Sequence, residues 1–568
     1  MKVKPTTLNY AVDEKPPLVT TLFLGLEHII ILTVAFIFPI LLISAGHDSI
    51  EGAFHMIQAT MLAMGVTTIL LAISRRFFGS GYLCCAINDP AYLPMAFVAL
   101  KIGGLPLLYT INYLQSIIQI LFAELIFRIR RWIPVEITGV VVLMIGFTLI
   151  RLGISNSLGG IDQVFHLRWN EHATLISISS LIVMMVFSVW GGKYFAKYGL
   201  IFGVVWGVIL SAIYGDLHSH LDRVYVPGWF SLPEISSFPV QIIHWSYVWP
   251  LLMAVFAVTI NSMGNFITSQ KVNNAQFVRP NYNNVRKGLL TTGFGSLLAS
   301  LFGGMPLGIS SINTGLAITT HSMSRVIAFP VGIVFILASF FPHIIQVFLL
   351  IPKPVLGAMI IYVVSSLLVV GTQIMLSRMV NARRLFIISV PLIIGLALEF
   401  MPQLQSDVPP ILFPLVVSPL STATLLALLL NLFFQFGVRK TAQIKVDLKQ
   451  QCTTAIHGQL QNLGSDWGAL PLTIARANKT ISDTLFVLEN IDVKNQEVMI
   501  NLHYNEYSLE CEMIYTGKPL DLSVCDANLP ENANFVLAVA IRAAKSQVDS
   551  LRQKSDGSTQ HLIFTIEQ

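Results

Sequence analysis

One segment decides the fold: Gly303-Gly304-Met305-Pro306-Leu307-Gly308-Ile309-Ser310-Ser311-Ile312-Asn313-Thr314-Gly315. It lies among long apolar runs, yet glycine, proline and asparagine break it too often for an ordinary membrane helix. It reads as an extended approach followed by a half-helix. Gly315 permits close backbone approach, and Asn313 offers both donors and an acceptor. A second broken stretch, Gly79-Ser80-Gly81-Tyr82-Leu83-Cys84-Cys85-Ala86-Ile87-Asn88-Asp89-Pro90, has the same character. Pro90 disfavours helix at Asp89 but suits the first turn of a following one. Asp89 reads either as a cap alone or as part of a half-helix terminus facing a ligand.

Around these two stretches the chain is a polytopic membrane protein. It has 568 residues, of which 54% are hydrophobic and 11% charged. Its mean hydropathy is +0.70. Soluble domains carry about 25% charge. With roughly 20 apolar residues per span, about fourteen segments emerge between residues 18 and 437. The broken ones, 81–100 and 308–322, are the third and the tenth, seven apart. Seven is odd, so the second half is inverted on the first. A 7+7 inverted repeat with broken spans binds its substrate near the midplane. Lys and Arg number 15 in loops on the N-terminal side and five on the other. The positive-inside rule then makes both termini cytoplasmic.

Residues 438–568 differ, with 27 charged residues in 131. Domains of 1–437 in the membrane and 438–568 as a cytoplasmic α+β tail follow. In the tail, 498–504 and 508–515 alternate like a hairpin and 561–567 like a further strand; 470–490 and 533–554 read as helices. The five cysteines show neither metal spacing nor a secreted framework. No cofactor, nucleophile–base pair or metal set is indicated, so an enzyme is not expected. Cations placed in loops require no nucleic-acid partner.

Polar residues inside spans supply the site candidates. Asn261 and Asn265 are four apart, on one helical face; they read as binding groups or as interhelical glue. Glu27-His28 lies deep in span one, and an intramembrane acid is a functional candidate by default. The other reading of Glu27 is a neutral packing residue. Tyr82, Ser311, Ile312, Asn313 and Gly315 complete the substrate candidates. Glu27, His28 and Asp89 are the coupling candidates.

Leu24-Gly25-Leu26-Glu27-His28 resembles the Gly-Leu-Gln-His opening of the nucleobase/ascorbate transporters, the xanthine/uracil permease family. Gly288–Gly295 looks like that family's span nine, and Phe302-Gly303-Gly304-Met305-Pro306 its Phe-Gly-Gly-x-Pro. Asn313, Gly315 and Thr320 match its span-ten motif, whereas Ile312 and His321 depart from it. The resemblance covers residues 17–437. It implies a core of spans 1–4 and 8–11, a gate of spans 5–7 and 12–14, and often a homodimer. It also implies H+ or Na+ coupling and an inner-membrane location. Family members usually carry Glu, then His or Asp, at the positions of Asn261 and Asn265. An aspartate common in span nine falls on Thr292, and the span-ten Glu or Gln falls on Ile312. The tail faintly resembles the ATPase fold of histidine kinases and anti-sigma factors, without its nucleotide-binding Asp and glycine-rich lid.

The expected function is secondary transport of a nucleobase or similar small polar heterocycle. Two rivals stand beside it: a sulfate-permease-like anion transporter, and a transporter-derived sensor signalling through the tail.

Overall fold

The computed structural model describes residues 4–46 (without 7), 50–129, 135–159, 169–195, 198–214, 228–234, 248–275, 280–376, 382–401, 403–406, 418–434, 440–448, 453–467, 471–489, 497–505, 508–517, 547–556 and 559–567, with a few isolated positions between them. The chain forms two compact units, one built mainly from residues up to 428 and one mainly from residue 429 onward.

The first unit is helical. Among the described residues, seven helices are long and apolar enough to cross a bilayer, eight if a bent pair counts as one. That pair, Arg325–Ser339 and Pro342–Leu349, turns through 91°, where the sequence reads as one span over 325–348. Proline explains the turn. Pro342 opens the second helix and Phe341 before it is extended (φ −107°, ψ 99°), as a residue preceding proline prefers.

Helices Val135–Leu158 and Lys353–Met375 pack along their lengths through small residues. Gly139, Gly146 and Gly153 recur every seventh position and face Met375, Leu368 and Ile360 in turn. A Cβ at Gly139 would lie 2.7 Å from the Met375 backbone nitrogen. Close backbone approach of this kind drives association where lipid offers no hydrophobic incentive.

Both broken stretches contain short strands. β1 (Ala86–Asn88) and β2 (Leu307–Ile309) pair antiparallel, Ala86 opposite Ile309 and Asn88 opposite Leu307. Helix Tyr282–Leu301 ends before Gly303, whose φ of 78° only glycine adopts without strain. β1 runs into a 3-10 turn, Pro90–Tyr92, and then helix Leu93–Ile129, which is kinked at Gly104. β2 runs into the nine-residue helix Ser311–Thr319. Because the strands are antiparallel, the two helical starts lie at opposite ends of the pair.

Residues 9–14 dock on the segment after that short helix. Tyr10 bridges Ser322 in parallel, and Arg325 pairs with Asp13 at 2.8 Å. Glu124, at the end of its helix, forms a two-point ion pair with Arg286.

The second unit holds a five-stranded antiparallel sheet of order β3-β4-β5-β7-β6. Its strands are β3 (Lys440–Asp447), β4 (Glu497–Tyr504), β5 (Ser508–Thr516), β6 (Ser550–Asp556) and β7 (Thr559–Glu567). The β4–β5 hairpin, β7 and helix Pro471–Glu489 match the sequence reading. Residues 550–554 do not: read as the end of a helix over 533–554, they are strand, paired with β7. That pairing supplies backbone partners and overrides local pattern. Residues 518–543, which carry half of that helix and the segment where a glycine-rich lid would fall, lie outside the described residues. Alternate residues Val498, Ile500, Leu502 and Tyr504 are buried beneath helices Thr453–Trp467 and Pro471–Glu489. On the other face Gln443 donates to Asn501, Asn501 donates to Glu512, and Glu512 meets His561 at 2.9 Å.

Two outcomes test these accounts. Gly139→Val should cost about 1–3 kcal/mol by overpacking, read as a lowered melting temperature in detergent. Gly264→Ala should be tolerated, because a Cβ there meets nothing within 4 Å. In the tail, burial pushes the Glu512 carboxyl up, but hydrogen bonds from His561 and Asn501 outweigh this and leave it below its ordinary value. Its stabilising contribution is therefore present above the ordinary carboxylate range and is lost as pH falls through the depressed folded value. Hydrogen exchange in β5 and β7 should show that acid-dependent loss in the wild type. Glu512→Gln should lack it.

Candidate substrate site beneath the crossed strands

The strand pair is anchored by side chains from the surrounding helices. Thr68 accepts from the Ala86 N–H at 3.1 Å, and Ser296 from the Leu307 N–H at 2.8 Å. Gln119 donates to the Leu307 carbonyl at 2.9 Å. Asn88 donates to the Ala35 carbonyl at 2.8 Å, where the first helix passes through a 3-10 turn at Val34–Phe36. Ser310 accepts from the Asn313 N–H, capping the short helix. Asp89 caps the other start, accepting from the Ala91 N–H at 3.0 Å.

A cavity of about 140 Å³ opens beside this crossing. Asp89, Asn261, Ser310, Ser311 and Ile312 line one side, and Val34, Ala35 and Phe38 of the first helix contribute to it. Thr138, Val141, Ile145, Val363, Ser366 and Leu367 form the opposite wall. A small apolar chamber with a few convergent polar groups is the usual form of a small-molecule site.

Four of the sequence candidates therefore meet at one cavity: Asp89, Asn261, Ser311 and Ile312. Asn265 stands behind them, donating to Ser311 Oγ at 2.9 Å and to the Asn261 carbonyl at 3.0 Å. Ser311 donates to Asn261 Oδ1 at 3.2 Å, and Asn261 Nδ2 lies 3.4 Å from Asp89 Oδ2. Asn261 thus lines the cavity, and Asn265 ties its helix to the start of helix Ser311–Thr319.

The other candidates lie elsewhere. Asn313 is 1% exposed and turned away from the cavity; its amide donates to His28 Nδ1 at 2.9 Å and to the His28 carbonyl at 3.1 Å. A Cβ on Gly315 would meet nothing within 4 Å, so no close approach requires that glycine. Tyr82 is buried outside the cavity lining. Glu27 hydrogen-bonds the Tyr198 side chain rather than the cavity. His28, one residue on, is buried and holds Asn313. Among the described residues no group of three His, Cys, Asp or Glu lies close enough to hold a metal.

Two site features escaped the sequence reading. Ser310 both caps the helix and lines the cavity, and a serine before the helix start was the available signal. Gly308 sits under Asp89: a Cβ there would come within 3.0 Å of the Asp89 Cβ and closer still to its carboxylate. No local signal distinguishes that glycine from its neighbours.

Paired strands within a helical bundle, each leading into a helix start beside a cavity, define a membrane transporter. The chain belongs to the permease family of xanthine/uracil type, whose model matches residues 19–404. It is 25% identical over 444 residues to the xanthine permease XanP of Escherichia coli (strain K12), covering 75% of this chain and 94% of that protein. It is 24% identical over 430 residues to the nucleobase transporter PlUacP of Paenibacillus larvae, covering 74% and 95%. The murine Solute Carrier 26 family member A9 anion transporter shares the fold at 12% identity, with a TM-score of 0.51 over 76% of this chain and 71% of that one.

The Asn313–His28 contact predicts a structural coupling. Asn313→Ala and His28→Ala should each lower the melting temperature. The double variant should fall short of their sum by about 0.5–3 kcal/mol, as expected for residues in direct contact. Additive losses would mean that the two side chains act independently.

Proposed function

We propose that the protein is a secondary active transporter carrying a nucleobase of the xanthine or uracil type across the inner membrane. The observation that supports this best is the cavity beneath the crossed strands, in which Asp89, Asn261 and Ser311 face an apolar wall. The named relatives are transporters of this substrate class, and membership of a permease family agrees with transport rather than enzymatic chemistry. The proposed arrangement has fourteen spans in a 7+7 inverted repeat, with both termini cytoplasmic. Spans 1–4 and 8–11 form the core and spans 5–7 and 12–14 the gate, within a membrane domain over 1–437. Residues 438–568 form a cytoplasmic domain, and the assembly is a homodimer.

The core–gate division gives meaning to the displaced candidate Glu27. It belongs to span one of the core, and its partner Tyr198 stands at the start of span seven in the gate. Movement of one bundle past the other would break that hydrogen bond in each cycle. Glu27 is therefore the residue proposed to carry the coupling, with H+ as the specific form of the H+ or Na+ dependence.

Reconstituted vesicles test both statements. Labelled xanthine or uracil should enter saturably and exchange against unlabelled base inside. Protein that moves sulfate or bicarbonate but neither base would sink the nucleobase reading. An imposed pH gradient should drive wild-type uptake. Glu27→Gln should remove that response and leave exchange intact. Uptake indifferent to the gradient in the wild type would remove proton coupling from the account.

A further inference from the structure

We infer that Asp89 is the ligand-binding acid of the cavity, accepting a ring N–H of a neutral lactam-type heterocycle, and that the site thereby rejects inorganic anions. The inference rests on the nucleobase reading and deepens it by assigning the acceptor and the substrate chemistry.

The polar side of the cavity is a hydrogen-bonded string with one direction. Asn265 Nδ2 donates to Ser311 Oγ at 2.9 Å. Ser311 donates to Asn261 Oδ1 at 3.2 Å. Asn261 Nδ2 in turn points at Asp89 Oδ2, 3.4 Å away. The string ends on Asp89 Oδ2, which accepts from Asn261; an oxygen that carries no proton has further room to accept. The amide of Asn261 is fixed by both ends: its oxygen is engaged by Ser311 and its nitrogen faces the acid.

The two oxygens of Asp89 differ. Oδ1 accepts from the Ala91 N–H and caps the 3-10 turn. Among the described residues, Oδ2 receives only the long contact from Asn261, although a carboxylate oxygen can accept twice. The side chain is 3% exposed and lines the cavity. A buried carboxylate with an under-served oxygen beside a chamber is matched by a ligand that donates there. Gly308 lies directly under it, and a Cβ at that position would collide with the carboxylate; the backbone leaves room for Asp89 to sit where it does.

On the same side of the cavity stand Ser311 and Ile312, the first residues of helix Ser311–Thr319. Their N–H groups have no intrahelical acceptor by their position, whereas that of Asn313 is capped by Ser310. The cavity therefore offers an accepting carboxylate and donating backbone within one small space. An adjacent ring N–H and exocyclic C=O answers both, as in xanthine and uracil. Bicarbonate or sulfate would suit the helix start but would lack the N–H that Asp89 accepts, and an ionised Asp89 would repel them at short range.

The test transposes the acid. Binding of labelled xanthine and uracil to the purified full-length protein is measured for the wild type, Asp89→Asn, and the double variant Asp89→Asn with Asn261→Asp. Asp89→Asn should weaken base binding about tenfold or more, since a charged acceptor becomes a neutral one. The double variant returns one acid to the other end of the same contact and should regain most of the affinity. Asp89→Asn within about twofold of the wild type overturns the assignment of Asp89 and leaves the nucleobase reading standing. Lost binding that the double variant does not restore also overturns it, because Asp89 is then only a cap. Wild-type protein that binds neither base, or that binds bicarbonate or sulfate in preference, overturns the nucleobase reading itself and this inference with it.

Discussion

Two three-residue strands buried in a helical bundle have no water to answer their N–H and C=O groups. Each unanswered group in such surroundings costs several kcal/mol. Helices satisfy their own backbone; a strand pair only two strands wide does not. Side chains from neighbouring helices must complete it, and here they do. Thr68 and Ser296 take N–H groups, and Gln119 gives to a carbonyl. Asn112 donates to the Gly304 carbonyl and Thr60 accepts from the Met305 N–H, serving the approach to β2. Thr291 accepts from Gly79 on the approach to β1. This requirement explains why so many hydroxyls and amides lie inside apolar helices. It also separates structure from function: polar side chains committed to the strand backbone are scaffold, and those left facing the cavity are candidates for the ligand.

That separation shows what the sequence could reveal. The breaks were legible because glycine and proline act locally on φ and on the N–H inventory. The Asn261–Asn265 pair was legible because helical period fixes which residues share a face. Asn313 looked equally polar and equally central, yet its partner is 285 residues away on the first helix. No local pattern carries such a pairing. Glu27 and His28 show the same limit within one dipeptide. About 100° of helical rotation separates neighbouring residues, so one meets Tyr198 while the other reaches the short helix. The bend at Pro342 was available from the sequence, because proline and the residue before it both resist helix. The β6 strand was not, because pairing with β7 decided it.

The cavity is asymmetric in a way that bears on movement. Its polar contacts come from the strand crossing and from helix Val248–Val272, which are tied together by the Asn265–Ser311–Asn261–Asp89 string. Its other wall is largely aliphatic, from helices Val135–Leu158 and Lys353–Met375, which are locked to each other along their glycine seam. Directional contacts penalise relative displacement steeply, because a hydrogen bond weakens quickly with distance and angle. Dispersion contacts with an aliphatic wall are individually small and can be replaced by similar ones along the surface. On the proposed transport reading, a ligand is therefore held in register by one body and merely enclosed by the other. The bound molecule would travel with the polar side past a surface whose polar groups are few, Thr138 and Ser366 among aliphatic side chains. The close-packed seam would resist deformation of that surface as the other body moved. On that reading specificity and movement would fall to opposite faces of one chamber, and the glycines of the seam would matter to transport without touching what is carried.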